Sequence, residues 1–194
     1  MSLILAIKKD DAVYLATDSR ISHVDYIHNT VAGEDLKIQR LGSCYVGAAG
    51  LVASIQLMMS HPEWFELNGK PLTKKYLVQN VIPKYYDALE SAGLLNRDDS
   101  NKHSPKSKAY FIVTDGENIF KIDSDFEVIS FYRCVAVGCT EDLANSVFIH
   151  LGNDFEPNEV LLDILRSSAK RNNGVGAPYH LVNTRDNKFE TVEA

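Results

Sequence analysis

The sequence predicts an α+β fold, a four-layer αββα sandwich with two mainly antiparallel sheets stacked between helical layers. Two observations lead there. Short apolar runs rich in β-branched residues occur in pairs joined by turn residues, the signature of hairpins. Longer stretches of helical character fall between these pairs, so strands alternate in blocks with helices and each sheet has helices to cover one face.

Ser2-Leu3-Ile4-Leu5-Ala6-Ile7 is the first strand, Lys9-Asp10-Asp11 a turn, and Ala12-Val13-Tyr14-Leu15-Ala16 the second strand. Lys37–Leu41 and Cys44–Ala48 flank Gly42-Ser43, a hairpin turn signal. Helices are expected over 50–60, 73–92, 140–151 and 156–172, with Thr73 and Thr140 as N-caps. Glu141 and Asp142 then sit in a first turn, where the helix dipole favours acids. Pro83 should kink or divide the second helix. Further strands are expected over 108–114, 118–123, 126–131, 133–137, 178–183 and 188–192, the first two joined through Asp115-Gly116. Residues 96–107 are polar and turn-rich and read as a surface loop.

With 194 residues and 45% apolar content, the chain fits a single domain, residues 1–194, with a sizeable core. A net charge of −6 without a large Lys/Arg cluster argues against nucleic acid and acidic membranes as partners. The apolar runs are too short to cross a bilayer. No charged segment or A-x-A-like site accompanies the first apolar run, so neither signal peptide nor propeptide is expected. Three Cys without a C-x-x-C pair point to free thiols and a cytoplasmic location. None of the six His is spaced as a metal pair, and no metal or cofactor is implied.

The chemistry concentrates at the start of the chain. A small residue behind Met1 lets that Met be removed, leaving Ser2 with both a hydroxyl and a free amine. Such an amine titrates at about 7.7–8.0 and can act as a base near neutral pH. Folding the first hairpin about Asp10 pairs residues whose numbers sum to about 20, which sets Asp18 opposite Ser2. Pairing about Gly42-Ser43 puts Lys37 near Ala48, two residues before Gly50. A cation there lowers the pKa of a nearby hydroxyl or amine and orients the Asp. Gly50 opens the 50–60 helix, where its N–H would suit a developing oxyanion.

Three blocks in order resemble the proteasome β-type subunits of the N-terminal nucleophile (Ntn) hydrolases, including bacterial proteasome-like peptidase subunits. They are Ser2 with Asp18-Ser19-Arg20-Ile21, then Lys37-Ile38 with Val46-Gly47-Ala48-Ala49-Gly50, then Val135-Ala136-Val137-Gly138-Cys139-Thr140. The resemblance spans residues 2 to about 183. It implies a threonine-protease-type mechanism with Ser2 as nucleophile, Asp18 and Lys37 tuning it, and Gly50 holding the oxyanion. It also implies substrate contacts at Ser19, Ile21, Ala48 and Ala49, and supporting positions at Cys139, Asn172 and Val175. The family has Thr at the nucleophile and Asp and two Ser at the supporting positions; Ser2, Asn172, Cys139 and Val175 depart from it. A peptide or unfolded protein substrate, a homo-oligomeric ring and an ATPase partner follow from the same resemblance, with Leu57, Met58 and Met59 expected at a ring interface. Two alternatives stay open: a catalytically inactive structural subunit, and an Ntn amidase acting on a small amide.

Overall fold

A computed structural model of the chain describes residues 2–22, 27–29, 36–96 and 105–193; Met1, His23, His103 and most of the polar loop after Asn96 lie outside them. Strand β1 (Leu3–Lys9) is apolar from Leu3 to Ile7 because both its faces are covered there. Leu3, Leu5 and Ile7 belong to one buried cluster, Ile4 and Ala6 to another. The chain reverses through Asp10-Asp11, Asp10 taking a left-handed φ of 54° that Asp tolerates better than most residues, and enters β2 (Ala12–Asp18). This turn holds two residues, so Lys9 pairs with Ala12 and Ile4 with Thr17. The paired numbers sum to 21, not 20, and continuing that ladder sets Asp18 against Leu3 instead of Ser2. Outside the pair lie β10 (Cys134–Gly138) on β1 and β11 (Tyr179–Asn183) on β2, with β12 (Lys188–Val192) at the edge.

The second sheet runs in chain order: β5 (Ile38–Leu41), β6 (Cys44–Gly50), β7 (Ala109–Thr114), β8 (Ile119–Ile122) and β9 (Val128–Phe131). Gly42, at φ 52°, and Ser43 form the two-residue turn that sets Leu41 against Cys44. The Asp115-Gly116 link is longer, since Thr114 pairs with Ile119; the Asp115 carboxylate accepts from the Glu117 and Asn118 amides and holds the loop. Two three-residue strands, β3 (Arg20–Ser22) and β4 (Ile27–Asn29), pair with each other and were too short to leave a sequence period.

Helices α1 (Val52–Met59), α2 (Lys74–Tyr76) and α3 (Ile82–Ser91), with the turn between the last two, cover the second sheet, packing Met58, Leu77, Tyr85 and Leu89 against Val46, Phe111 and Val113. Thr73 caps α2 by accepting from the Tyr76 amide. Between α2 and α3 the backbone widens into a π turn, Leu77–Val81, just ahead of Pro83. A proline ring strikes the carbonyl four residues back, and the wide turn relieves that contact. On the other side α4 (Glu141–Ile149) and α5 (Pro157–Ala169) set Ala144, Leu161 and Leu165 on Leu3, Leu5 and Ala16. Ile4 and Leu15 meet Ile38, Ile112 and Ile119 between the sheets. These three apolar layers make the four-layer αββα sandwich.

Several expectations need correction. Met58 and Met59 are buried in the core under α1, with Leu57 packed against it, so they are not an interface surface. Thr140 stands at the start of α4 but in a left-handed conformation (φ 64°), its hydroxyl donating to the Cys139 carbonyl instead of capping the helix. The last helix stops at Ala169, which leaves Asn172 in the turn beyond it.

The two sheets approach closely at Gly47, where a Cβ would fall 2.6 Å from Ile4 Cγ2. Gly47→Ala is therefore expected to destabilise the fold by about 1–3 kcal/mol, the usual cost of overpacking a core. Thermal unfolding should register a fall of roughly 2–4 °C per kcal/mol for a chain of this size. An unchanged midpoint would contradict the close approach of the sheets.

Candidate active site

The end of β2 delivers Asp18 into the interior, fully buried. Its Oδ1 accepts from the Leu3 amide at 3.0 Å and its Oδ2 from the Arg20 amide at 3.0 Å. Lys37, just ahead of β5, crosses from the second sheet: its Nζ lies 3.0 Å from Asp18 Oδ2 and donates to the Arg20 carbonyl at 2.6 Å. The strand pairing explains this reach, because the Ala48 amide donates to the Lys37 carbonyl and fixes Lys37 beside β6. Burial pushes the Lys37 ammonium below the usual lysine range, against the attraction of Asp18. It pushes the Asp18 carboxyl up, against Lys37 and the two amides. Desolvation thus brings the two groups closer in proton affinity than they are in water.

Residue 2 sits directly on this pair through the backbone. The Leu3 amide that Asp18 holds is the next peptide unit along, and the Ser2 carbonyl accepts from the Cys139 amide at 2.9 Å and the Cys139 thiol at 3.3 Å. Gly138, at φ 109°, makes room for this contact: a Cβ there would lie 2.0 Å from the Ser2 carbonyl oxygen. Ser2 lines an open pocket of about 460 Å³ with Ala49, Gly50 and Cys139. Gly50 closes β6 at φ 126°, one residue before Leu51, the position that starts α1. Its amide therefore belongs to the strand end and not to the first turn of the helix.

The other positions singled out in the sequence are placed differently. Ala48 packs into the core under the helices, so its methyl faces away from the pocket. Ser19 is buried, its amide held by the Gly176 and Pro178 carbonyls, and Ile21 lies in β3. The Asn172 carboxamide is turned into its own loop, Oδ1 accepting from the Gly174 amide at 2.8 Å. Val175 is buried in the apolar cluster that contains Leu3. Sequence reasoning missed Tyr110, Lys121, Asp123 and Glu141, which line the same pocket as Ser2. Lys121 and Asp123 are ion-paired at 3.1 Å. Their spacing of two at the end of a strand was a usable signal, since it puts both on one face.

Burial raises the Cys44 thiol to about 12 and the Cys134 thiol to about 11. Only a thiolate alkylates readily, so native protein at pH 8 should keep Cys44 unmodified by iodoacetamide until it is unfolded. Mass spectrometry of the tryptic peptides checks this, and rapid modification of native Cys44 would contradict its placement.

No family model and no curated protein matches the sequence. Solved structures do match in three dimensions. BPH from Thiobacillus denitrificans superposes with a TM-score of 0.71 at 18% identity, covering 93% of this chain and 96% of that one. The same protein in complex with epoxomicin gives 0.70 at 17%, covering 93% and 97%. Anbu, described as an ancestral β-subunit, from Yersinia bercovieri gives 0.71 at 14%, covering 98% and 87%. The chain thus shares its fold with BPH and Anbu over nearly its whole length.

Proposed function

We propose that the chain is a proteasome-like Ntn hydrolase that cleaves peptide bonds with Ser2, exposed as the N-terminal residue once Met1 is removed. The observation that carries this reading is the buried Asp18–Lys37 pair, whose Asp18 accepts from the Leu3 amide next to Ser2, while Ser2 itself lines an open pocket. In this reaction the Ser2 hydroxyl attacks the substrate carbonyl while the Ser2 amine accepts its proton, directly or through water. The Lys37 charge favours the developing alkoxide, and Asp18 keeps Lys37 and Leu3 in place. The Gly50 N–H receives the oxyanion. The amine returns its proton to the departing peptide nitrogen as the C–N bond breaks. Water then hydrolyses the ester and frees Ser2. On the same reading the chain assembles into a homo-oligomeric ring, with an unfolded protein or peptide as substrate and an ATPase as feeder; the fold shared with Anbu, an ancestral β-subunit, supports the assembly.

One observation favours a second reading, a structural subunit without turnover. Asn172 spends its side-chain acceptor on its own loop, Val175 offers none, and Cys139 reaches the Ser2 carbonyl and not its amine. An Ntn amidase on a small amide would use the same groups. A library of fluorogenic peptides and small amides, offered to wild type and to Asn172→Asp, separates these. The proposal expects peptide turnover, raised by Asn172→Asp where the missing carboxylate is limiting. Turnover confined to small amides points to the amidase, and none from either protein favours the structural subunit.

A further inference from the structure

At the opposite end of β1, six residue steps or about 20 Å from Leu3, the fold gathers positive charge in a second pocket. It holds about 400 Å³ and is lined by Lys8, Lys9, Asp10, Tyr132, Arg133, Asn153 and Phe155. Three basic residues and one acidic one line this pocket in a chain whose net charge is −6, the Lys8 ammonium reaching the loop between β7 and β8 while Lys9 and Arg133 meet at Phe155.

These cations are held by backbone and not by acids. Lys8 donates to the Glu117 carbonyl at 2.7 Å, Lys9 to the Phe155 carbonyl, and Arg133 to the Leu151 carbonyl at 3.0 Å and to the Gly152 carbonyl. Among the described residues none of the three has an ion-pair partner. A carbonyl orients an ammonium or guanidinium without cancelling its charge, and each group keeps further N–H bonds to donate. Two of them are also fixed against one ring, Lys9 Nζ at 4.9 Å and the Arg133 guanidinium at 5.2 Å from the Phe155 centroid. Alongside stands Tyr132, 94% exposed, an aromatic face turned to solvent at the mouth of the pocket.

We propose that this pocket binds a phosphate-bearing ligand, its phosphates on Lys8, Lys9 and Arg133 and any planar group it carries on Tyr132. The cations are positioned before the ligand arrives, so binding adds charge-assisted hydrogen bonds without ordering three long side chains. The site stands apart from Ser2, at the other end of β1.

Calorimetric titration of the full chain with ATP, adenosine and inorganic pyrophosphate, at low salt, tests this. ATP and pyrophosphate should bind in the micromolar range and adenosine should not. Lys8→Ala and Arg133→Gln should each weaken both at least about tenfold, roughly what the loss of one charge-assisted bond removes. Tyr132→Ala touches only an exposed ring and should fold normally. A loss confined to ATP in that variant identifies a nucleotide, and equal binding of both identifies inorganic phosphate chains. The proposal is overturned if neither ATP nor pyrophosphate binds below 1 mM, or if both bind Lys8→Ala and Arg133→Gln as they bind wild type. Melting curves of all variants distinguish lost binding from lost structure.

Discussion

Ser2→Ala is expected to abolish peptide hydrolysis, by at least about a thousandfold, while leaving the melting temperature within a degree or two. The hydroxyl is the only atom removed, and Ser2 lines the open pocket and belongs to none of the apolar clusters. The contacts that hold residue 2 run through its carbonyl and through the Leu3 amide, both of which Ala keeps. A variant that is folded but inert would separate chemistry from structure. Hydrolysis surviving at more than a few per cent would move the nucleophile elsewhere.

Lys37→Met should affect both activity and stability. It removes one member of a pair of which Asp18 is fully buried and Lys37 only 6% exposed. Stranding a buried charge in this way costs about 3–5 kcal/mol, or roughly 6–20 °C for a chain of this length. The loss should shrink in Asp18→Asn/Lys37→Met, where no uncompensated charge remains and Asn still offers an acceptor to the Leu3 amide. Activity should fall by several orders of magnitude in both, about as far as in Ser2→Ala, because the field on the nucleophile is gone. Calorimetry of the single and double variants decides the point. A Lys37→Met protein that melts with the wild type would contradict the buried pair.

The parts of the site carried by hairpins were legible in the sequence. Gly42-Ser43 read as a hairpin turn, and the Lys37–Ala48 pairing followed from counting. The first hairpin was missed by a single residue because its turn is centred between Asp10 and Asp11, and a period of two turns one step into a change of partner. The layer order was readable from the blocks of strands and helices, but the helix ends were not. Gly50 read as helix, yet the strand ladder with β7 continues through it to Ala109.

What stayed hidden depends on contacts between distant segments. The turn after α5 takes its shape from Arg20: the guanidinium donates to the Asn173 carbonyl, and a Cβ on Gly176 would fall 2.3 Å from its central carbon. No local pattern around Asn172 announces that arrangement. The pocket wall of Tyr110, Lys121, Asp123 and Glu141 likewise draws on three segments of the chain. In the sequence Lys9 belongs to a turn and Arg133 opens an expected strand; the pairing of β10 with β1 is what brings Arg133 beside Lys8.

The central claim, that Ser2 becomes an N-terminal nucleophile, is tested most directly by the intact mass of the untagged protein before and after exposure to epoxomicin, the compound on which one structural neighbour was solved. The expected result is a chain lighter by one methionine that gains one equivalent of epoxomicin, with the adduct mapped to Ser2 and absent from Ser2→Ala. A chain that retains Met1, or an adduct that maps to any other residue, would contradict it.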